Sequence, residues 1–321
     1  MDALSEILKV VQLNGAIFFN ARFTAPWCVA SPAEASLARM LGVGAERILL
    51  YHYVMEGSCV ITLQGMAPLC LSGGDIMLFP QGDAHTMASS VGGQPQRIDA
   101  RAILRERPKV LQLGGGGKST RLVCGYMTCD PRLFQPILAA LPRVVTMSLR
   151  GMEHARWLES SLQHAVEEAA SPRPGAAGVL SKLSEVLVVE TLRQYMAELS
   201  PEHTGWLSGL RDRTVGKCLA LMHEKPAHPW TVDSLAREVA ASRSVLAERF
   251  THFVGQSPMQ YLGRWRMALA ANYLRRSSLS LARIAEEVGY ETDAALSRAF
   301  RREFGTPPAT WRRMQASNRS M

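Results

Sequence analysis

The hydrophobic pattern along the chain has two regimes. Between residues 47 and 127 the apolar positions come in short runs broken by glycine turns: RILLYHYVMEG, CVITLQG, LCLSGGD, IMLFP, RIDARAIL and RLVCGYMTC. Short β-rich runs with turn signals this frequent predict an antiparallel sandwich or barrel. Ahead of them, MDALSEILKVVQL predicts a short amphipathic helix, with Asp2 and Glu6 where a secretory signal would need basic residues. Residues 131–150 form a proline-punctuated connector, and beyond it the period becomes 3.6. Segments 153–170 and 176–199 predict two helices joined by SPRPG; in the second, Val179, Leu183, Val186, Leu187, Glu190, Leu192 and Tyr195 give a wide and mostly apolar face. Such a face needs its own domain or a second copy to cover it, so residues 151–199 are read as a helical pair that forms a homodimer. Residues 200–210, small and polar, read as a linker, and all that follows reads as helix.

The last third contains a repeat. SLAREVAASRSVLAERFTHFVGQSPMQYL (234–262) aligns with RIAEEVGYETDAALSRAFRREFGTPPATW (283–311), Leu235 matching Ile284 and Phe250 matching Phe300. Each copy is a helix, a short turn, and a second helix stopped by Gly-x-x-Pro. That is the grammar of a helix-turn-helix, in which small residues let two helices cross closely. Ala236 and Ala285 are small at the crossing, Gly289 supplies the second turn, and Leu246/Phe250 and Leu296/Phe300 are the inward pairs of the recognition helices. The motifs span about 232–253 and 281–304.

Charge sharpens this picture. The net charge of +8 lies in residues 208–321, which carry 18 Lys and Arg against 10 Asp and Glu; the preceding 207 residues are neutral. A basic domain on a neutral body points to a polyanion. No apolar run reaches the ~18 residues of a membrane span, and the six cysteines form no CxxC pair, so a cytoplasmic protein with free thiols is expected.

Residues 212–312 resemble the DNA-binding domain of the AraC/XylS family of bacterial transcription regulators. GQSPMQYLGRWRMALAANYLRRS is similar to that family's joining helix, and IAEEVGYETDAALSRAFRREFGTPPATWRR to its signature. The resemblance implies two recognition helices in successive major grooves of double-stranded DNA. Helix direction then assigns base contacts to Arg243, Ser244 and Glu248 on the first and to Ala294, Ala295 and Arg298 on the second, with Ala247, Asp293 and Ser297 beside them. Arg298 is the foremost candidate for a bidentate guanine contact. Lys217, Arg264, Arg266, Thr292, Arg301 and Arg302 are expected at phosphates, positioning without specifying.

GDIMLFPQGDAH, running from Gly74 through Pro80 and Gly82 to His85, matches the second motif of the cupin barrel, a fold that AraC-type regulators often carry as a sensor. The first cupin motif is not matched: its metal-ligand positions fall near Val43, Ala45 and Leu50, none able to bind metal. No catalytic metal centre and no cofactor are therefore expected. His52 and His85, with Cys28, Cys59 and Cys124, are the candidates for an effector pocket or redox site, because a histidine near a thiol makes oxidation site-selective. The run LGGGGKSTR looks like a phosphate-binding loop, but Gln112 stands where its first glycine must be and a strand follows instead of a helix. It is read instead as a hairpin turn between two late barrel strands.

The expectation is an α+β protein with four parts: a cupin-like antiparallel β-barrel over 1–150, a helical pair over 151–199, a linker over 200–210, and an all-α double helix-turn-helix domain over 211–321. It would regulate transcription in response to thiol oxidation, a metal or a small molecule, shifting its affinity for DNA or its contact with RNA polymerase. The alternative is a cupin metalloenzyme fused to a DNA-binding domain.

Overall fold

In a computed structural model, residues 2–11, 13–42, 47–96, 110–151, 155–170, 173–200 and 202–317 are described. The expected strand RIDARAIL lies outside them, as do Val43 and Ala45. The chain forms two compact units, one of Leu13–Asp130 with Leu141–Glu198, the other of Met1–Gln12, Pro131–Ala140 and Leu199–Met321. The boundary therefore differs from the expected cut at residue 150. The first helix and half of the connector belong to the basic unit.

The first unit holds two sheets. Strands β1 (Asn14–Thr24), β3 (Arg47–Glu56), β6 (Asp75–Phe79), β8 (Leu111–Gly114), β9 (Ser119–Cys129) and β10 (Val145–Ser148) make one, in the order β10-β6-β3-β9-β1-β8. Strands β2 (Cys28–Ser31), β4 (Ser58–Thr62), β5 (Leu69–Ser72) and β7 (His85–Ala88) make the other, in the order β2-β7-β4-β5. Alternating residues from both close on one core, in which Phe23, Ile48, Val54, Ile61, Phe79 and Leu122 are fully buried. Helix α2 (Glu34–Leu41) is tied to β3 by Arg47–Glu34, 2.6 Å apart.

Two expectations change here. The barrel is not purely antiparallel, because β8 pairs in parallel with β1. The glycine run is also not a hairpin turn, since β1 lies between β8 and β9. It crosses the end of β1 instead, with Gly115 N–H donating to the Thr24 carbonyl at 2.9 Å and Gly117 N–H to that of Ala25 at 2.8 Å. A Cβ on Gly114 would stand 1.8 Å from the Thr24 carbonyl oxygen, so the close crossing, not hairpin geometry, demands glycine.

Helix α3 (Pro131–Ala140) precedes the helical pair, α4 (Ala155–Ala170) and α5 (Ala176–Glu198), which packs on the six-stranded sheet. Leu187, Val188 and Leu192 of α5 are buried there, whereas Trp157 on α4 is 54% exposed and Val179 on α5 39%.

The second unit is helical: α1 (Ala3–Val10), α3, α6 (Trp206–Arg211), α7 (Arg213–Glu224), α8 (Val232–Glu238), α9 (Arg243–Val254), α10 (Pro258–Arg276), α11 (Leu281–Glu287), α12 (Asp293–Phe304) and α13 (Pro308–Ser317). Asp2 caps α1, accepting from Ser5 N–H at 2.9 Å, and α1 packs on α7. The expected linker is shorter than 200–210, because α6 lies inside it. Trp206 is buried and its indole N–H donates to Tyr261 Oη at 2.9 Å, an anchor that a small, polar composition does not reveal.

Candidate nucleic-acid interface and sensor site

Helices α8–α9 and α11–α12 form the two predicted motifs. Leu235, Leu246, Phe250, Ile284, Leu296 and Phe300 are fully buried, and Ala236 and Ala285 lie buried at the crossings. Both turns close alike: Ala241 N–H donates to the Ala236 carbonyl at 3.0 Å and Tyr290 N–H to that of Ala285 at 2.8 Å. The residue between has positive φ in each, Gly289 at 77° and Ala240 at 54°. An alanine thus occupies in the first motif a conformation that favours glycine. Ser242 and Thr292 cap the recognition helices, accepting from Val245 N–H at 3.2 Å and Ala295 N–H at 3.1 Å. Gly255 and Gly305 end them in the left-handed conformation.

The side chains assigned to bases stand along the outer faces. Arg243, Ser244, Glu248, Asp293, Ala294 and Arg298 are exposed, and Ala247, Ala295 and Ser297 half-buried. Arg298 holds no ion pair with Glu291 or Asp293 among the described residues, while Arg243 approaches Asp233 at 3.6 Å. Arg301, Arg302 and Thr292 are exposed; Lys217 is exposed too and donates to the Glu238 carbonyl at the end of α8.

Arg266 departs from the expected phosphate set. Its guanidinium donates to the carbonyls of Pro226 and His228, both at 2.8 Å, and lies 6.0 Å from the Tyr290 ring centroid, so it fastens the turn before α8 to α10. Arg264 lines a cavity beside α3. Sequence reading missed Arg249, which pairs with Asp212, the cap of α7, and ties the first recognition helix to it. An arginine directly after Glu248 on the recognition helix was the available signal.

In the first unit the two histidines meet across the sheets. His52 on β3 faces Cys124, its cross-strand partner on β9, with Nδ1 2.8 Å from Sγ. Its Nε2 is 2.7 Å from Nε2 of His85 on β7, and His85 Nδ1 is 2.8 Å from the Asp83 carbonyl oxygen. The His85 ring stacks on Phe79, centroids 3.8 Å apart. Burial, with His85 adding to it, holds the His52 pKa well below the ordinary imidazole value; burial lowers His85 to about 4, against the opposing pull of Asp83. Both rings are therefore neutral near pH 7, which fixes every proton. A carbonyl only accepts, so His85 Nδ1 donates to Asp83 and its Nε2 accepts; His52 Nε2 donates to it, leaving His52 Nδ1 to accept from the Cys124 thiol. Burial, with Cys59 nearby, keeps that thiol protonated, raising its pKa well above the usual range.

Of the five predicted sensor residues the structure joins His52, His85 and Cys124, and brings Cys59 near enough for its charge to be felt at Cys124. Cys28 stands apart on β2, where a Cβ on Gly93 would meet its sulfur at 3.6 Å. The reverse face of the same strand pair holds a feature the sequence did not announce. Tyr51 crosses its partner Gly125 and its hydroxyl lies 3.0 Å from Ser184 Oγ on α5, both buried. A Cβ on Gly125 would sit 2.2 Å from the Tyr51 ring. A glycine inside the apolar run RLVCGYMTC was the signal.

Fold and site together define a DNA-binding transcription regulator with an attached barrel. The chain belongs to the AraC/XylS family. The family described as Cupin matches residues 2–197 and that described as Helix-turn-helix domain matches 235–314. An AraC-like transcription regulator of Streptomyces lividans is 33% identical over 98% of this chain and 98% of its own length. RclR of Escherichia coli, named an RCS-specific HTH-type transcriptional activator, is 27% identical over 97% of each. Among solved structures, the DNA-binding domain of AdpA in complex with a target DNA covers 34% of this chain and 98% of its own, at 28% identity and a TM-score of 0.33.

Proposed function

We propose that the protein is a cytoplasmic, homodimeric, sequence-specific transcription regulator, not an enzyme, whose barrel senses oxidation at Cys124 and thereby changes DNA binding or contact with RNA polymerase. Arg298 and Arg243 read guanine edges, with Ser244, Glu248, Ala294 and Ala295 beside them; Lys217, Thr292, Arg301 and Arg302 hold phosphates. The exposed Trp157 and Val179 on the helical pair support a dimer face. The activator named among the relatives supports activation as its mode.

The observation that carries the sensor reading is the 2.8 Å approach of the thiol to a neutral imidazole lone pair. When the barrel opens to hydrogen peroxide and water, the burial that keeps the thiol protonated and His52 weakly basic is relieved; His52 then takes the thiol proton, and the thiolate sulfur attacks one peroxide oxygen. The O–O bond breaks and the leaving oxygen recovers a proton from His52, giving Cys124 sulfenic acid and water. An S–OH in place of S–H disturbs the His52–His85 link between the sheets, and on the other face of β3 Tyr51 carries the change to α5. Such a signal acts by a free-energy difference between two states. The cupin metalloenzyme alternative fares worse, because Leu50 stands at a ligand position and all four ring nitrogens of His52 and His85 lie in hydrogen bonds.

DNA affinity of full-length protein before and after peroxide, in wild type and Cys124→Ser, tests the reading. A peroxide-dependent change lost in Cys124→Ser supports it. An identical response in both refutes Cys124 as the sensor.

A further inference from the structure

The basic unit holds a cavity of about 320 Å³ outside both sites above, between α3 and the face of α10. That volume suits a small organic molecule. Pro136, Ala139, Val254 and Ala268 give it apolar walls, and Trp206 and Trp265 add aromatic surface. Two polar groups in this lining have no partner among the described residues: the indole N–H of Trp265, a residue only 3% exposed, and the side-chain Oε1 of Gln256. A buried donor left unpaired is costly enough that native structures rarely keep one. Arg264, exposed on α10, adds a full positive charge to the same lining.

We infer that this cavity is a binding site for a small amphipathic carboxylate. An apolar tail fits against Pro136, Ala139 and Val254. The carboxylate accepts from the Arg264 guanidinium and the Trp265 N–H, and the Gln256 amide, turned end for end, donates as well. A neutral ligand would leave the arginine unused, and a bare inorganic anion would leave the apolar walls uncovered. The inference is independent of Cys124 and removes Arg264 from the phosphate set. Arg132 of α3 lines the same space while its guanidinium lies 4.4 Å from the Trp311 ring centroid on α13, so an occupant touches a helix tied to the second motif.

Calorimetric titration of full-length protein with octanoate, with octan-1-ol as the uncharged match, tests it. Octanoate should bind one site at least about tenfold more tightly than the alcohol, as expected for a charge-assisted hydrogen bond. Arg264→Gln, an exposed position that leaves the fold intact, should bring the two ligands to within about twofold. Trp265→Phe should weaken octanoate several-fold, and Ala139→Phe should abolish binding of both. Equal affinity for acid and alcohol, octanoate binding that survives Ala139→Phe in folded protein, or no binding at millimolar octanoate would each overturn the inference.

Discussion

His52 and Cys124 are cross-strand partners, and the imidazole nitrogen facing the thiol, 2.8 Å away, is an acceptor. That polarity is inherited from the far end of the chain, where the Asp83 carbonyl forces His85 to donate. One backbone oxygen thus orders three side chains across two sheets. The same neutrality has a measurable consequence in acid.

Protonation should destabilise the two-sheet unit. The folded pKa of His85, about 4, lies below its ordinary value of 6.5, so as pH falls the unfolded chain takes up the proton first. Stability is full above about pH 6.5, falls between there and about pH 4, and levels off below, with a loss of roughly 3 kcal/mol from this group. Urea denaturation followed by barrel fluorescence at pH 7.5 and 5 checks it. In His85→Gln the decline across this window should be smaller; an unchanged decline would mean that His85 is protonated in the fold.

The two turns of the repeat should respond in opposite directions to glycine–alanine exchange. Ala240 holds φ 54° without being glycine, so Ala240→Gly should stabilise the basic unit by up to about 1 kcal/mol. Gly289→Ala should cost about 2 kcal/mol or more, since its Cβ would come within 2.8 Å of Ala227 backbone atoms as well as adopting positive φ. Thermal unfolding of both variants decides it.

How much of this was legible depended on whether a residue's role is local. The repeat placed the crossings and inward pairs correctly, because each is set by neighbours within one turn of helix. The Gly74–His85 motif marked one of the two buried histidines that meet across the sheets. Pairings between distant strands were not legible: nothing local tells that β8 and β9 flank β1, and so the glycine run was read as a hairpin. Arg266 looked like a phosphate ligand because its carbonyl partners, Pro226 and His228, lie about 40 positions away. Composition likewise hid the helix at Trp206, whose anchor is Tyr261.

Gly125 should be irreplaceable by any residue with a side chain. Gly125→Ala drives a methyl into the Tyr51 ring and should cost about 2 kcal/mol or more, comparable to severe overpacking. Ser184→Ala, which removes only the hydrogen bond to Tyr51, should cost about 1 kcal/mol. Equilibrium denaturation of the two variants gives the order; the reverse order would place the strain elsewhere.

Specificity and affinity should separate by residue. Arg298→Ala should cost about 1–3 kcal/mol on a preferred duplex and little on a scrambled one. Arg301→Ala should weaken both alike and lower the salt dependence by about one ion. Fluorescence anisotropy over a salt series distinguishes the two. Equal losses on both duplexes for Arg298→Ala would reassign it to the backbone.

We expect the paired motifs to read sequence in successive major grooves on one face of the duplex. Footprinting of the full-length protein across genomic DNA tests it most directly. Discrete sites should appear, each with two protected patches about one helical turn, roughly 10 base pairs, apart. Uniform protection without discrete sites would contradict it.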